Sequence, residues 1–134
     1  MAYKFEKLDV WQRALDYGDA VEAIARALPK HERFNLADQI RRAATSIALN
    51  IAEGSTGQSD AEQNRFLGYA QRSLVETVAC IHLIQRRGYL ADPEPLRDAY
   101  RQSERLFRQL TAFRRMLGST VREDPADYDL PPPF

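Results

Sequence analysis

Four stretches of apolar residues spaced three and four apart, each closed off by its own start or stop chemistry, limit this chain more than any other feature. Residues at that spacing share one face of a helix. The first stretch opens at Asp9 as N-cap with Gln12 as the reciprocal half of a capping box, then runs through Trp11, Ala14, Gly18, Val21, Ala25 and Leu28 to a stop at Pro29. The second starts at Leu36, with Asn35 as its N-cap, and carries Ile40, Ala43, Ala44, Ile47 and Ile51 to Gly54. After the linker Gly54-Ser55-Thr56-Gly57-Gln58, Ser59 and Glu62 form S-x-x-E ahead of Leu67, Ala70, Leu74, Val78, Ile81 and Ile84. Gly88 supplies the left-handed residue that ends this third helix, with Tyr89 folding back on it. The fourth begins at Asp92-Pro93, follows Leu96, Tyr100, Ser103, Phe107, Leu110, Phe113 and Leu117, and ends at Gly118.

Short connections between long amphipathic helices favour antiparallel neighbours, so the expected fold is all-α, an up-down-up-down four-helix bundle over 1–118. No stretch reads as a strand. A chain of 134 residues suits one domain and buries enough surface to need no staple. The remaining segment, 119–134, is acidic and ends in Pro131-Pro132-Pro133-Phe134; it is expected to be a flexible tail contributing little to the fold. The single cysteine, Cys80, lies in the apolar run Thr77 to Ile84, which fits a reducing compartment, and a cytoplasmic location is expected. No apolar run is long enough to cross a bilayer, and the start Met1-Ala2-Tyr3-Lys4-Phe5-Glu6 lacks a leader's pattern, so no membrane partner is expected.

Formal net charge is zero, yet charge is divided along the chain. The tail sets Arg122 against Glu123, Asp124, Asp127 and Asp129, which leaves the bundle net positive. Apart from Lys4, Lys7 and Lys30, every basic residue is Arg, whose planar fork suits phosphate and carboxylate. Chemistry-bearing clusters are sparse. His31 lies among charged residues of the first connection, His82 among apolar residues of the third helix, and neither has a ligand set spaced around it. Gly54 and Gly57 make no phosphate loop, because no strand precedes them and no Gly-Lys-Ser/Thr follows. No catalytic residue, metal site or cofactor is expected, and the chain reads as a non-enzyme.

Two polar stripes remain as candidate sites. On the second helix Gln39, Arg42, Ser46, Asn50 and Glu53 run beside the apolar face, and Ala37, Ala43, Ala44, Ala48 and Ala52 allow close approach. This is the candidate oligomer interface. Glu53 sits at the negative end of the helix dipole and calls for a compensating cation or N–H group. On the fourth helix Arg97, Arg101, Arg105 and Arg108, followed by Arg114 and Arg115, form a basic stripe. Arg101, Arg105, Arg108, Arg114 and Arg115, with Arg41 and Arg42, are the candidate contacts to RNA or DNA. Since no helix-turn-helix, zinc finger or stacking motif accompanies them, contact to phosphate rather than to bases is expected.

The run Gln39-Ile40-Arg41-Arg42-Ala43-Ala44-Thr45-Ser46-Ile47-Ala48-Leu49-Asn50-Ile51-Ala52-Glu53-Gly54 resembles the signature of the S23, or 23S rRNA intervening-sequence, four-helix-bundle proteins. Phe5-Glu6-Lys7-Leu8-Asp9-Val10-Trp11, Arg65-Phe66-Leu67, Ser73-Leu74 and Gly88-Tyr89-Leu90 match its other segments, so the resemblance spans about Phe5 to Leu117. This chain departs from the family with Ala48 where Pro is frequent, and with Arg72 where Gly is common before the serine. The resemblance implies a ring-shaped homo-oligomer, typically a pentamer. A relative, the accessory variability determinant of diversity-generating retroelements, is a basic ring that partners a reverse transcriptase and its template. Two functions follow as expectations: a non-catalytic ring that binds nucleic acid through repeated arginines, or a protein-interaction scaffold that meets an acidic or nucleic-acid-associated protein.

Overall fold

Each periodic stretch folds as a helix in the computed structural model, which describes residues 3–57, 59–118 and 133–134. The helices are α1 (Asp9–Ala27), α2 (Leu36–Gly54), α3 (Asp60–Arg86) and α4 (Glu94–Met116), with short 3-10 turns at Lys4–Lys7 and Lys30–Glu32. Among the described residues there is no strand. α1 packs against α2 and α4, and α3 packs against α2 and α4, so α1 and α3 lie on one diagonal of a square. Every neighbouring pair is antiparallel. Ser46 meets Ser73 while Gly54 meets Phe66; Gln71 meets Thr111 while Asn64 meets Arg114. The up-down-up-down bundle is thus the fold.

The core is built from the predicted faces. Ile40, Ala43, Ala44, Ile47 and Ile51 of α2 are all buried, as are Leu67, Ala70, Leu74, Ile81 and Ile84 of α3. Burying one such aliphatic side chain fully is worth roughly 1.5–3 kcal/mol. The fourth stripe is displaced. Ala99 and Leu106 reach the core beside Leu96, Ser103 and Leu110, while Tyr100, Phe107, Phe113 and Leu117 sit half-buried at its margin. Tyr17, outside the predicted stripe of α1, is buried and ties α1 to α3 across the diagonal of the core, its hydroxyl 2.7 Å from Thr77 Oγ1. Thr77 Oγ1 donates in turn to the Leu74 carbonyl at 2.6 Å, so Tyr17 is the donor, and burial pushes its phenol pKa up.

The helix ends divide into those set by local chemistry and those set by neighbours. Ser59 caps α3 by accepting the Glu62 N–H at 3.1 Å, as the S-x-x-E pattern requires. At the other end Gly88 has φ 62, Gly88 N donates to Gln85 O at 3.1 Å and Tyr89 N to Ile84 O at 3.4 Å, which is the full Schellman pattern. Asp92 accepts the Glu94 N–H at 3.0 Å, although the helix begins one residue later than the proline position expected for it.

Two predicted caps are corrected. Asp9 is the first residue inside α1 and pairs with Arg13 at 3.4 Å, because the preceding 3-10 turn places Leu8 at the cap, where its carbonyl accepts from Gln12 N at 3.3 Å. Asn35 stands at the start of α2 but makes no side-chain cap; it donates instead to Glu32 Oε1 at 2.8 Å, and the same oxygen lies 3.5 Å from Leu36 N. Glu32 therefore takes the capping role from inside the bundle, where it is buried. Its other oxygen accepts from the Tyr89 hydroxyl at 2.6 Å and lies 3.7 Å from Arg87. This latch ties the α1–α2 connection to the α3–α4 connection. The Tyr89 hydrogen bond, with those from Asn35 and Leu36, holds the Glu32 carboxyl below the usual carboxylate range.

The tail expectation falls largely on Ser119 to Pro132, which lie outside the described residues. Its end is placed, however. Phe134 packs edge-on against His82 at 5.5 Å and near Tyr100 at 6.0 Å, so the last residue lies on the surface of the bundle. An aromatic ring gains from burying its face against other rings whatever precedes it in the chain.

Candidate functional site

The basic stripe of α4 is real as a surface but uneven in use. Arg101, Arg105, Arg108 and Arg115 are exposed, and their spacing sets them along one outer side of the helix. Arg101 reaches Glu94 at 3.2 Å and shares it with Arg97 at 3.7 Å. Arg108 lies close enough to Glu104 to favour its charged form, against the burial that raises that carboxyl's pKa. Arg105 has no ion pair among the described residues and borders a polar recess with Arg13, Asp16, Asp98 and Gln102.

Arg114 is placed differently from its neighbours. Its Nε donates to Asn64 Oδ1 at 2.6 Å and its Nη1 to Gln71 Oε1 at 2.9 Å. The guanidinium lies flat over Gly68, with its central carbon and both terminal nitrogens 3.2 Å from where a Cβ would stand. Gln71 is itself buried and donates to Thr111 Oγ1 at 2.8 Å. Arg114 is therefore a packing element between α3 and α4, and burial lowers its pKa.

Arg41 is likewise occupied. It makes a two-pronged bond to Glu22, 2.8 and 3.1 Å, that ties α2 to α1, and Glu22 also accepts from Arg26 at 3.1 Å. The Arg41 bond holds the Glu22 carboxyl below its usual range. Arg42 is exposed and pairs within its own helix with Asp38 at 3.3 Å, an arrangement worth a few tenths of a kcal/mol, on the order of 0.3–0.5.

The polar stripe of α2 splits in two. Ser46 Oγ meets Ser73 Oγ at 2.9 Å, and Asn50 Nδ2 donates to the Ser46 carbonyl at 2.8 Å and to Ser46 Oγ at 3.0 Å. Both are half-buried in the seam with α3, while Gln39, Arg42 and Glu53 face outward. Glu53 has no ion pair among the described residues. Arg72 lies with its guanidinium 5.8 Å from the Tyr69 ring centre.

No group of His, Cys, Asp and Glu among the described residues could hold a metal ion. His31 bonds to the Tyr89 hydroxyl at 3.2 Å, and His82 stacks edge-on to Tyr100 at 6.2 Å. Cys80 is buried, and burial pushes its thiol pKa up, away from a nucleophile. No helix is long and apolar enough to cross a membrane among the described residues.

What sequence reasoning missed is a groove between α1 and α2. It encloses about 430 Å³ and is lined by Trp11, Leu15, Gly18, Ala44, Ala48 and Leu49, with Asp19 and the Arg41–Glu22 pair at its edge. Spacing alone sets Gly18 in the bundle seam. A Cβ added there meets nothing within 4 Å, although glycine inside a helix costs about 0.5–1 kcal/mol relative to alanine. The available signal was that Leu15 and Leu49 do not fit the predicted stripes.

Comparison with known proteins bears on the whole bundle. No curated protein matches the sequence at a significant level. The profile described as 23S rRNA-intervening sequence protein matches residues 6–112, which takes in α1, α2, α3 and most of α4, with the polar stripe of α2 and the basic stripe of α4 as far as Arg108. With that match covering most of its length, the chain belongs to the 23S rRNA-intervening sequence protein family.

Proposed function

We propose that this chain is a non-catalytic, cytoplasmic protein that assembles with copies of itself, as a pentameric ring, and binds RNA or DNA through the outer face of α4. The observation that carries the nucleic-acid reading is the line of Arg101, Arg105, Arg108 and Arg115, exposed on one side of a single helix. Their span is roughly 20 Å at 1.5 Å per residue, long enough to follow several phosphates of one strand. A ring repeats that line in every subunit, so modest contacts add up and each neutralised phosphate releases counter-ions. Arg105, without an ion pair among the described residues, contributes most. Arg101 must first leave Glu94, and Arg114 and Arg41 keep their structural bonds. Arg42 stands apart on α2 and plays a lesser part.

The test is titration of labelled RNA and DNA of unrelated sequence at several salt concentrations, against the wild type and the Arg105→Glu/Arg108→Glu variant. Steeply salt-dependent binding, weakened alike for all sequences in the variant, is the expected result. Absence of salt-sensitive binding by the wild type favours the scaffold reading, in which the same face meets an acidic protein. The apolar surface left exposed on α1, α2 and α3 supports self-association, since monomers rarely leave large contiguous apolar patches open. Sedimentation should show one discrete species at a fixed multiple of the monomer mass.

A further inference from the structure

We infer that the α1–α2 groove seats the α3–α4 face of a second copy of this chain, so that copies join head to tail. The inference rests on the self-association proposed above and gives it a surface. It replaces the polar stripe of α2 as the interface, because Ser46 and Asn50 of that stripe are engaged within the chain.

Gly18 is the central observation. Two other glycines lie against their own chain: a Cβ on Gly54 would come within 2.7 Å of Phe66 Cβ, and one on Gly68 within 3.2 Å of the Arg114 guanidinium. Gly18 weakens its helix although, among the described residues, nothing stands within 4 Å of a Cβ added there, and it opens onto a groove floored by Ala44 and Ala48. The walls are apolar and wet, with Leu15 39% and Leu49 59% exposed. Space kept clear between two helices, with aliphatic walls, fits a helix ridge laid between them.

The chain itself offers such a ridge. On α3, Val75, Ala79 and Leu83 recur every four residues, with Val75 56% and Leu83 42% exposed. Pro133 and Phe134 lie beside Leu83 and extend the apolar surface. Arg72 and Arg86 bracket the ridge and make no ion pair among the described residues, while Asp19 at the groove, also without an ion pair, offers the opposite charge. The α1–α2 and α3–α4 sides are opposite sides of the square. A copy that gives its ridge to one neighbour therefore keeps its groove free for another, the condition for a heterologous interface that closes into a ring.

The experiment is sedimentation of the full chain, of Gly18→Gln, of Val75→Gln/Leu83→Gln, and of an equimolar mixture of the two variants, with helicity followed by circular dichroism. Each variant alone should be monomeric where the wild type is assembled, its dissociation constant raised by about tenfold or more. The mixture should form a one-to-one dimer and nothing larger, because only one intact groove and one intact ridge can meet. Leu15→Gln/Leu49→Gln, at exposed wall positions, must repeat the loss should Gly18→Gln lower helicity. Wild-type assembly retained in the groove variants overturns the inference while leaving self-association standing. Assembly lost in the groove variants but kept in the ridge variant overturns the choice of ridge. A wild type that is monomeric at micromolar concentrations overturns the self-association reading itself.

Discussion

Against α3, α2 is packed to contact: Gly54 lies 2.7 Å, by an added Cβ, from Phe66, and Ser46 shares a hydrogen bond of 2.9 Å with Ser73. Against α1, the same helix turns Ala44 and Ala48 toward an open groove of about 430 Å³, spanned at its edge by the Arg41–Glu22 pair. Both sides are built from small residues. On one side they let a neighbouring helix of the same chain come close; on the other they leave room that the described residues do not fill. Smallness thus permits close approach without saying whose helix approaches, and the four predictions below test that division.

The largest effect is expected at Ile47, fully buried in the core that α2 shares with its neighbours. Ile47→Ala should lower stability by about 2–5 kcal/mol in chemical denaturation, the usual cost of a large-to-small change in a well-packed core. A loss below about 1 kcal/mol would mean that the core around α2 collapses easily and is not tightly packed. Next comes Gly54→Val, which forces a branched side chain into Phe66. It should cost about 1–3 kcal/mol by overpacking, and a neutral result in thermal melts would erase the contrast with Gly18.

Acid should loosen the other side from its end. The α1–α2 connection is latched by Glu32, whose carboxyl is held below its usual range chiefly by the Tyr89 hydrogen bond. Since the folded value is the lower one, the latch contributes fully above the unfolded value and is lost as pH falls through the folded value. The wild-type melting temperature should therefore fall more steeply below the ordinary carboxylate range than that of Glu32→Gln, which is already weakened at neutral pH by a few degrees. Parallel curves would show that the latch carries no acid sensitivity. The smallest effect has the opposite sign: Gly18→Ala should raise stability by about 0.5–1 kcal/mol, because alanine is the better helix residue and its Cβ meets nothing. A loss there would place a hidden contact at Gly18 and close the groove as a candidate interface.

The bundle was legible because its signals are local. Ser59, Gly88 and the α2 stripe act through bonds to residues a few positions away, and the structure places them as read. The candidate sites were legible only as patterns. Spacing put Arg101, Arg105, Arg108 and Arg115 on one exposed line, but it could not separate Arg105 from Arg114, nine positions on, whose guanidinium lies over Gly68. Helical period says which direction a side chain leaves the axis. It does not say that Asn64 and Gln71 wait there to receive it.

The sequence by itself determined that four amphipathic helices would form, how they would alternate, and which family they belong to, because caps, glycine ends and apolar period are short-range physics repeated along the chain. Only the tertiary structure decided that Glu32, not Asn35, caps α2, that Arg114 and Arg41 spend their charge inside the bundle, and that Gly18 faces open space. Arg114 and Arg41 meet partners brought from distant positions in the chain, and Glu32 is held at its cap by the hydroxyl of Tyr89 from the far connection. A side chain's role there is fixed by what the fold sets within about 3 Å of its polar atoms, and no local pattern encodes that distance.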